Sequence, residues 1–192
     1  MNNEKNIVNT KNEAANNNDK GFVKGTLLPL IVDVGIAAFI SFLLFFVLFR
    51  IVIVSGTSMM PTYEDGNILI VNHIKSKTDF GTVVVVDSKN PEIGQVIKRV
   101  IGVGGDTIDI DFDKGIVYRN GEALDEPYVN SPTNTKFDVE FPLRVPEGCL
   151  FVMGDNRNMS LDSRSSEISF VPLENVIGSY MFQVPFFGHN FS

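Results

Sequence analysis

The segment "QVIKRVIGV", residues 95–103, decides the fold class of this chain. Five of its nine residues are valine or isoleucine, and β-branched side chains favour extended strands. Similar short apolar segments occur on both sides of it, separated by Gly, Pro, Asn and Asp. Downstream of residue 50 no long stretch has helical periodicity, so we predict a mainly β domain. The predicted strands are residues 67–71, 82–86, 95–103, 107–112, 115–124 and 149–153.

The segment 115–124 is predicted to fold back on itself as a hairpin. Asn120 and Gly121 stand between two short apolar pairs, and this dipeptide is a strong signal for a two-residue hairpin turn. The sequence contains no internal repeat. We therefore expect one β domain built from short strands and tight turns.

An apolar segment precedes this domain. Residues 27–49 are apolar apart from Asp33 and Ser41, and about 20 such residues suffice to cross the hydrocarbon core of a bilayer. We predict a transmembrane helix at residues 25–50, between a disordered tail at 1–24 and a β domain at 51–192. The alternatives are a cleavable secretory signal, for which the segment is too long and has no small-residue cleavage site, and a buried core helix.

The basic residues near the helix predict its orientation. Lys20 and Lys24 are the tail lysines closest to the apolar segment, and basic residues favour the cytoplasmic side of a membrane. We therefore expect the tail in the cytoplasm and the β domain outside, at the plasma membrane.

Composition excludes several classes of protein. The chain of 192 residues has a formal net charge of −7, and the absence of a Lys/Arg-rich block argues against nucleic-acid binding. Cys149 is the single cysteine and cannot form an intrachain disulfide. His73 and His189 belong to no metal-binding motif, so we expect neither a metal nor another cofactor.

Lys98 interrupts the apolar pattern of the 95–103 strand. Because side chains alternate along a strand, Lys98 shares a face with Val96 and Val100, whereas Arg99 points to the opposite face. Such a lysine either extends its amine to water or is buried. A free lysine, with a pKa of about 10.4, is uncharged in roughly one molecule in 2,500 at pH 7, but burial lowers the pKa. A neutral amine of this kind can activate a serine hydroxyl.

Three motifs then resemble those of one known family. "SGTSMMPT" around Ser58, "IKRVIGVGGD" at 97–106 and "MGDNRNMSLDSR" at 153–164 are similar to the three motif blocks of the type I signal peptidases. They occur in the family's order behind an apolar segment, and the resemblance extends to about residue 180. Three ordered blocks are far more specific than a single short motif. The resemblance implies a signal-peptidase-like β ectodomain behind one N-terminal transmembrane helix.

The resemblance also implies roles for individual residues. Ser58 matches the nucleophile, Lys98 the general base, and Ser160 a second serine whose hydroxyl orients the lysine amine. Without the motif, Ser160 would be interpreted as a loop serine in a local turn.

Two ion pairs follow from the same resemblance. Arg99 matches an arginine paired with the aspartate at Asp155, and Asp162 with Arg164 resembles a second pair. We expect both pairs to hold the Ser160 loop against the Lys98 strand. The alternative is solvated surface charge, worth roughly 0 to 1 kcal/mol.

Gly56 departs from part of the family pattern. Some members have a serine two residues before the nucleophile, where its hydroxyl helps to hold the oxyanion, and the Gram-positive-like branch has glycine. The main-chain N–H of Ser58, with a neighbouring amide or water, would then serve instead. Ser55 and Thr57 are further candidate donors.

The implied reaction is cleavage of signal peptides from exported precursor proteins after small residues at the first and third positions before the cut. An extended substrate is expected to add a strand beside residues 82–86 and 54–58. The expected partners are these precursors, the lipid bilayer and, as a candidate, the secretion translocon. Residues 181–187 are expected either to contact the membrane surface or to pack in the core. The expected substrate-pocket residues are Val52, Val54, Met59, Val85 and Ile97.

Two other functions are compatible with parts of the sequence. A soluble Ser-Lys self-cleaving repressor would lack the apolar segment and need a DNA-binding module, and a membrane-anchored β domain could bind peptides without cleaving them. The presence of both Ser58 and Lys98 favours the enzyme. A calcium site is disfavoured because the acidic cluster lacks the spacing of a known loop, and its members are expected to be solvated strand residues. They are Asp106, Asp109, Asp111 and Asp113.

Overall fold

The computed structural model describes residues 29–73, 77–88 and 90–184. The chain divides into two compact units, Met1–Phe46 and Val47–Ser192. The predicted tail at 1–24 lies outside the described residues, as do the first four residues of the predicted transmembrane segment.

The described part of the first unit consists of one helix, α1, at Pro29–Leu48, whose last two residues belong to the second unit. Its 20 residues give a length of about 30 Å, so its length and apolar composition fit a single-pass membrane anchor. The helix ends two residues earlier than predicted, because Phe49 and Arg50 pair with Asn72 and Val71 as the start of a strand.

The second unit is mainly β, as predicted, and has eleven strands among its described residues. All six predicted strand segments are confirmed within one or two residues at each boundary, and 115–124 forms the expected hairpin. The strands are β1 Phe49–Ile53, β2 Ile68–Asn72, β3 Val83–Asp87, β4 Gln95–Val103, β5 Thr107–Asp111, β6 Ile116–Arg119, β7 Glu122–Ala123, β8 Leu143–Arg144, β9 Cys149–Met153, β10 Val171–Pro172 and β11 Val176–Val184.

Antiparallel pairing arranges these strands in two sheets. The larger sheet has seven strands in the order β1-β2-β11-β3-β4-β9-β10, and the smaller has four in the order β7-β6-β5-β8. β4 is long enough to pair with β3 through its first half and with β9 through its second half. The pairing of Arg99 with Met153 brings the motif blocks at 97–106 and 153–164 side by side.

Apolar side chains from both sheets form the core. One cluster lies under the centre of the large sheet, around Val84, Val100 and Val152. A second cluster, around Ile108 and Phe151, lies between residues of the two sheets. Complete burial of a side chain of this size stabilises the fold by about 1.5–3 kcal/mol, so packing provides the main stabilisation of a domain without a disulfide.

The topology corrects one of the two expected positions of the substrate strand, the one beside residues 82–86. β3 pairs with β4 on one side and β11 on the other, so residues 84–86 offer no free edge for strand addition. The first half of β4 differs, since Gln95–Lys98 pair with β3 alone and β9 joins only from Arg99 onward. Residues 95–98 of β4 therefore have a free backbone edge, and β1, at one end of the large sheet, has another.

One aspartate of the acidic cluster, Asp106, is not solvated as expected. Asp106 is buried and accepts hydrogen bonds from Arg119 Nε, Asn120 Nδ2 and the Val103 N–H. Burial alone would raise its pKa, but these bonds hold the pKa below its usual value. Asp106 is thus a buried structural residue that fixes the β4–β5 turn, not a solvated one.

The C-terminal apolar segment lies partly within β11. Met181 and Phe182 are both about half exposed, so packing in the core does not account for them. Residues 185–187 lie outside the described part of the chain.

Candidate active site

Ser58 and Lys98 are in direct contact. The Lys98 Nζ lies 3.0 Å from the Ser58 Oγ, although the two residues are 40 positions apart in the sequence. Lys98 lies in β4, opposite Val84 of β3, and its side chain is only 3% exposed. The alternative of a lysine that extends its amine to water is therefore wrong for this structure.

Burial of the amine lowers the Lys98 pKa to about 8. The largest cause is loss of solvation, which disfavours the charged form. Asp162 and Asp155 oppose this by favouring the ammonium, whereas the Arg164 guanidinium lowers the pKa further. Near pH 8 about half of the molecules then have a neutral amine able to accept a proton.

The Ser58 segment is held by the 154–160 loop. The Asn156 N–H donates to the Ser58 carbonyl at 3.0 Å, and the Asn156 side-chain amide donates to the Thr57 carbonyl at 3.1 Å. Met59, next to Ser58, is buried in a cluster with Val54 and Val83. The two bonds from Asn156 on one side and the buried Met59 side chain on the other hold the backbone around Ser58.

Gly154 is a site residue that the sequence analysis did not identify. A Cβ at this position would lie 2.2 Å from the Ser160 Oγ and 2.5 Å from the Ser58 carbonyl oxygen. No real Cβ tolerates such contacts, so only glycine allows the two serine segments to approach each other. Gly154 lies in the "MGDN" part of the third motif block, but the contacts that require glycine there form only in the folded chain.

Ser160 is close to this point but makes no bond to Lys98. Its hydroxyl is buried and has no hydrogen-bond partner among the described residues. The expected hydrogen bond that orients the lysine amine is therefore absent from this arrangement, because Lys98 is directed at Ser58 instead. A buried hydroxyl without a partner is costly, by about 1–3 kcal/mol, and is unusual in a native fold.

Two buried ion pairs surround the dyad. Arg99 contacts both oxygens of Asp155, at 2.8 and 2.6 Å, and Thr62 donates to the same carboxylate. Arg164 contacts both oxygens of Asp162, and the Gly154 N–H also donates to Asp162. The side chains of both aspartates have no exposed surface, so the alternative of solvated surface charge is wrong.

A third buried pair was missed by the sequence analysis. Arg157 is fully buried and donates to both oxygens of Glu126, to Thr133 and to the Gly154 carbonyl. The Tyr128 hydroxyl donates to Glu126. The Arg99 guanidinium carbon lies over the Tyr128 ring, 4.0 Å from the ring centroid. Burial raises the Tyr128 pKa, so its hydroxyl remains a donor. Glu126 and Arg157 are 31 residues apart, and no local pattern indicates their contact.

A cleft of about 170 Å³ opens beside Ser58 and Lys98. Its walls come from residues 52–55 on one side and residues 95–98, the free edge of β4, on the other. The structure brings all five expected substrate-pocket residues to this cleft: Val52, Val54, Met59, Val85 and Ile97. A serine hydroxyl, a poorly solvated amine and an adjacent apolar cleft define the class as a serine hydrolase.

Comparisons with known proteins then identify the family. The family model described as signal peptidase, peptidase S26, matches residues 27–185. Signal peptidase I of Bacillus caldolyticus is 38% identical over 146 residues, which cover 68% of this chain and 76% of that protein. Signal peptidase I of Bacillus licheniformis is 34% identical over 169 residues, which cover 83% and 89%. The chain belongs to the signal peptidase family and is a serine peptidase.

A crystal structure of a signal peptidase I from Enterococcus faecalis is also similar. It is 33% identical in sequence, with a TM-score of 0.43, and the match covers 54% of this chain and 96% of that one.

Proposed function

We propose that this chain cleaves N-terminal signal peptides from exported precursor proteins at the membrane surface. Membership of the signal peptidase family supports the substrate class. The observation that carries the catalytic assignment is the 3.0 Å contact between the buried Lys98 amine and the Ser58 hydroxyl. Ser58 is the nucleophile in this proposal, and Lys98 is the general base.

The reaction proceeds in two steps, acylation of Ser58 and hydrolysis of the acyl-enzyme. Neutral Lys98 accepts the hydroxyl proton while the Ser58 Oγ attacks the scissile carbonyl carbon, and the ammonium then protonates the departing amine as the C–N bond breaks. The mature protein leaves, and the signal peptide remains as an ester on Ser58. A water molecule, deprotonated by Lys98, attacks the ester and releases the signal peptide, with the proton returned to Ser58.

Ser160 is proposed to orient Lys98 during this cycle. An ammonium has three donors, whereas Ser58 provides one acceptor. The unpartnered Ser160 hydroxyl, which lies across Gly154 from the Ser58 carbonyl, supports a role as the second acceptor. The Arg99–Asp155 and Asp162–Arg164 pairs hold the loops that position these groups.

The substrate is proposed to bind as an extended strand along residues 95–98. The free edge of β4 supports this placement, since its backbone groups have no partner strand on the cleft side. The side chains before the cut would enter a cleft lined by valine, isoleucine and methionine. A shallow apolar pocket supports small residues at the first and third positions before the cut, through Val52, Val54, Met59, Val85 and Ile97.

Ser58 is proposed to act at the outer membrane surface. It follows the end of α1 by only ten residues, which supports cleavage close to the bilayer. The tail is placed in the cytoplasm because of Lys20 and Lys24. Precursors, lipid and the secretion translocon are the proposed partners.

Incubating the purified full chain in detergent with one model precursor, then sequencing the new N-terminus, tests the proposal. We expect one cut after a small residue, and no cut with Ser58→Ala or Lys98→Ala. Lys98→Arg also fails, because a guanidinium does not give up its proton near neutral pH. Lys136→Ala is the matched control, since Lys136 forms an exposed pair with Glu140.

Two results would overturn the proposal. Full cleavage by Lys98→Ala would eliminate the base assignment. A wild-type chain that binds the precursor without cutting it would favour the peptide-binding alternative.

A further inference from the structure

We propose that Asp65 is a positioning residue for the loop that carries Ser58. The Gly56 N–H donates to the Asp65 Oδ1 at 2.7 Å. This length is typical of a hydrogen bond to an ionised carboxylate, which is stronger than one between neutral groups. The inference depends on the proposed function, because it concerns the geometry of the same nucleophile.

The loop has few other constraints around Gly56. Val54 is fixed by backbone bonds to Asn67 and Gly66, and Thr57 is fixed by the Asn156 amide. Between these two residues, the bond to Asp65 is the one hydrogen bond that the described part of the chain provides. The loop would otherwise cross Ser55 and Gly56 without support.

Gly56 adopts a left-handed backbone conformation that its surroundings leave free. Its φ is +86°, in the left-handed region that glycine enters readily, and no atom lies within 4 Å of the position where a Cβ would be. Packing therefore does not select this conformation. The hydrogen bond to the Asp65 carboxylate instead holds the Gly56 N–H in its observed direction.

Asp65 belongs to a hydrogen-bonded turn. It lies in the turn between β1 and β2, where the Glu64 N–H donates to the Asn67 side chain and the Asn67 N–H donates back to the Glu64 carbonyl. The Gly66 N–H closes the turn onto Val54. The turn is thus linked to Gly56 through the Asp65 carboxylate.

This contact determines which amides can hold the oxyanion. The Gly56 N–H already donates its one hydrogen bond to Asp65, so Gly56 is not a donor to the substrate. The Ser58 N–H donates to no acceptor among the described residues and remains available. Asp65 therefore compensates for the missing side chain at position 56 by ordering the loop that presents the Ser58 N–H.

The variants Asp65→Ala and Asp65→Asn test whether the hydrogen-bond acceptor at position 65 positions the Ser58 loop. Asp65→Ala removes the acceptor, so we expect kcat on the model precursor to fall at least tenfold, with KM unchanged within twofold. Asp65→Asn keeps an acceptor oxygen, so its kcat should stay within about threefold of the wild type. Glu64→Ala, at the neighbouring exposed carboxylate, is the matched control and should retain full activity.

Hydrogen–deuterium exchange of the full chain in detergent provides a readout besides activity. The peptide that contains Gly56 should exchange faster in Asp65→Ala, and equally in Glu64→Ala and the wild type, with the melting temperature unchanged. Asp65→Ala with wild-type kcat, or with unchanged exchange at Gly56, would overturn the inference. A wild-type chain that fails to cleave would instead refute the proposed function, so the two failures are distinguishable.

Discussion

At the scale of single residues, the Lys98 amine lies in the apolar centre of a strand, where its charged form is poorly solvated. Its folded pKa of about 8 is below the unfolded value of 10.5, so the folded state binds fewer protons than the unfolded state between these pH values. The resulting destabilisation is fully present below pH 8 and disappears as the pH rises toward 10.5. The proposed base is therefore maintained at the expense of stability.

Lys98→Met should increase stability while it abolishes cleavage. Methionine has a similar volume and no charge, so the melting temperature at pH 7 should rise by several degrees, and the increase should shrink near pH 10. Thermal unfolding at the two pH values checks this. Lys136→Met, at an exposed lysine, is the control and should change little; a lower melting temperature for Lys98→Met would contradict the account.

The sequence was most informative for the dyad residues. Ser58 and Lys98 could be predicted because each lies in a motif of contiguous residues, and the structure places them 3.0 Å apart. Asp65 and Gly154 could not, because their contacts depend on the path that the loops take in the folded chain. The hydroxyl of Ser160 also differs from expectation, since a motif specifies the residue and not its hydrogen bond.

At the scale of structural elements, residues 126–135 connect the small sheet to the 154–160 loop. Glu126 and Thr133 both accept hydrogen bonds from the Arg157 guanidinium, which has no exposed surface. Arg157 in turn donates to the carbonyl of Gly154, beside the Ser58 backbone. This segment, which links β7 to β8 of the small sheet, thus supports the site without lining the cleft.

Glu126→Gln should strongly destabilise the domain. The substitution leaves a buried guanidinium without a counter-charge, and breaking such a pair typically costs about 3 kcal/mol or more. Chemical denaturation of the second unit within the full chain measures this. Glu140→Gln, in a surface pair with Lys136, is the matched control with an expected effect below about 1 kcal/mol; equal effects for both variants would contradict the account.

The strands were predictable where the apolar pattern is regular. β4 and β9 have their predicted boundaries, because both are dense in β-branched or large apolar residues. β11 was missed, since bulges at Val176/Gly178 and Tyr180/Phe182 interrupt the alternation of its side chains. β1 was also missed, since its first residue, Phe49, continues the apolar composition of the helix.

At the scale of the whole molecule, one apolar helix precedes one β unit. The helix has the length and composition of an anchor, and these are the properties that its proposed role requires. Its sequence is then less important than its hydrophobicity.

Replacing residues 29–48 with an unrelated apolar helix of equal length should preserve processing of a membrane-inserted precursor. Membrane fractionation and the new N-terminus of the product check this result. A control helix with two central lysines should leave the membrane fraction, because each charge opposes insertion by about 2.5–3.5 kcal/mol. Loss of processing by a correctly inserted replacement would contradict the anchor-only role.

The central claim is that the neutral form of the Lys98 amine activates Ser58, and the pH dependence of kcat/KM tests it most directly. This ratio reports the protonation of the free enzyme, so it should rise with pH and reach half of its plateau near pH 8. A half-maximum above pH 10, the range of a solvated lysine, or a rate independent of pH between 6 and 9, would contradict the account.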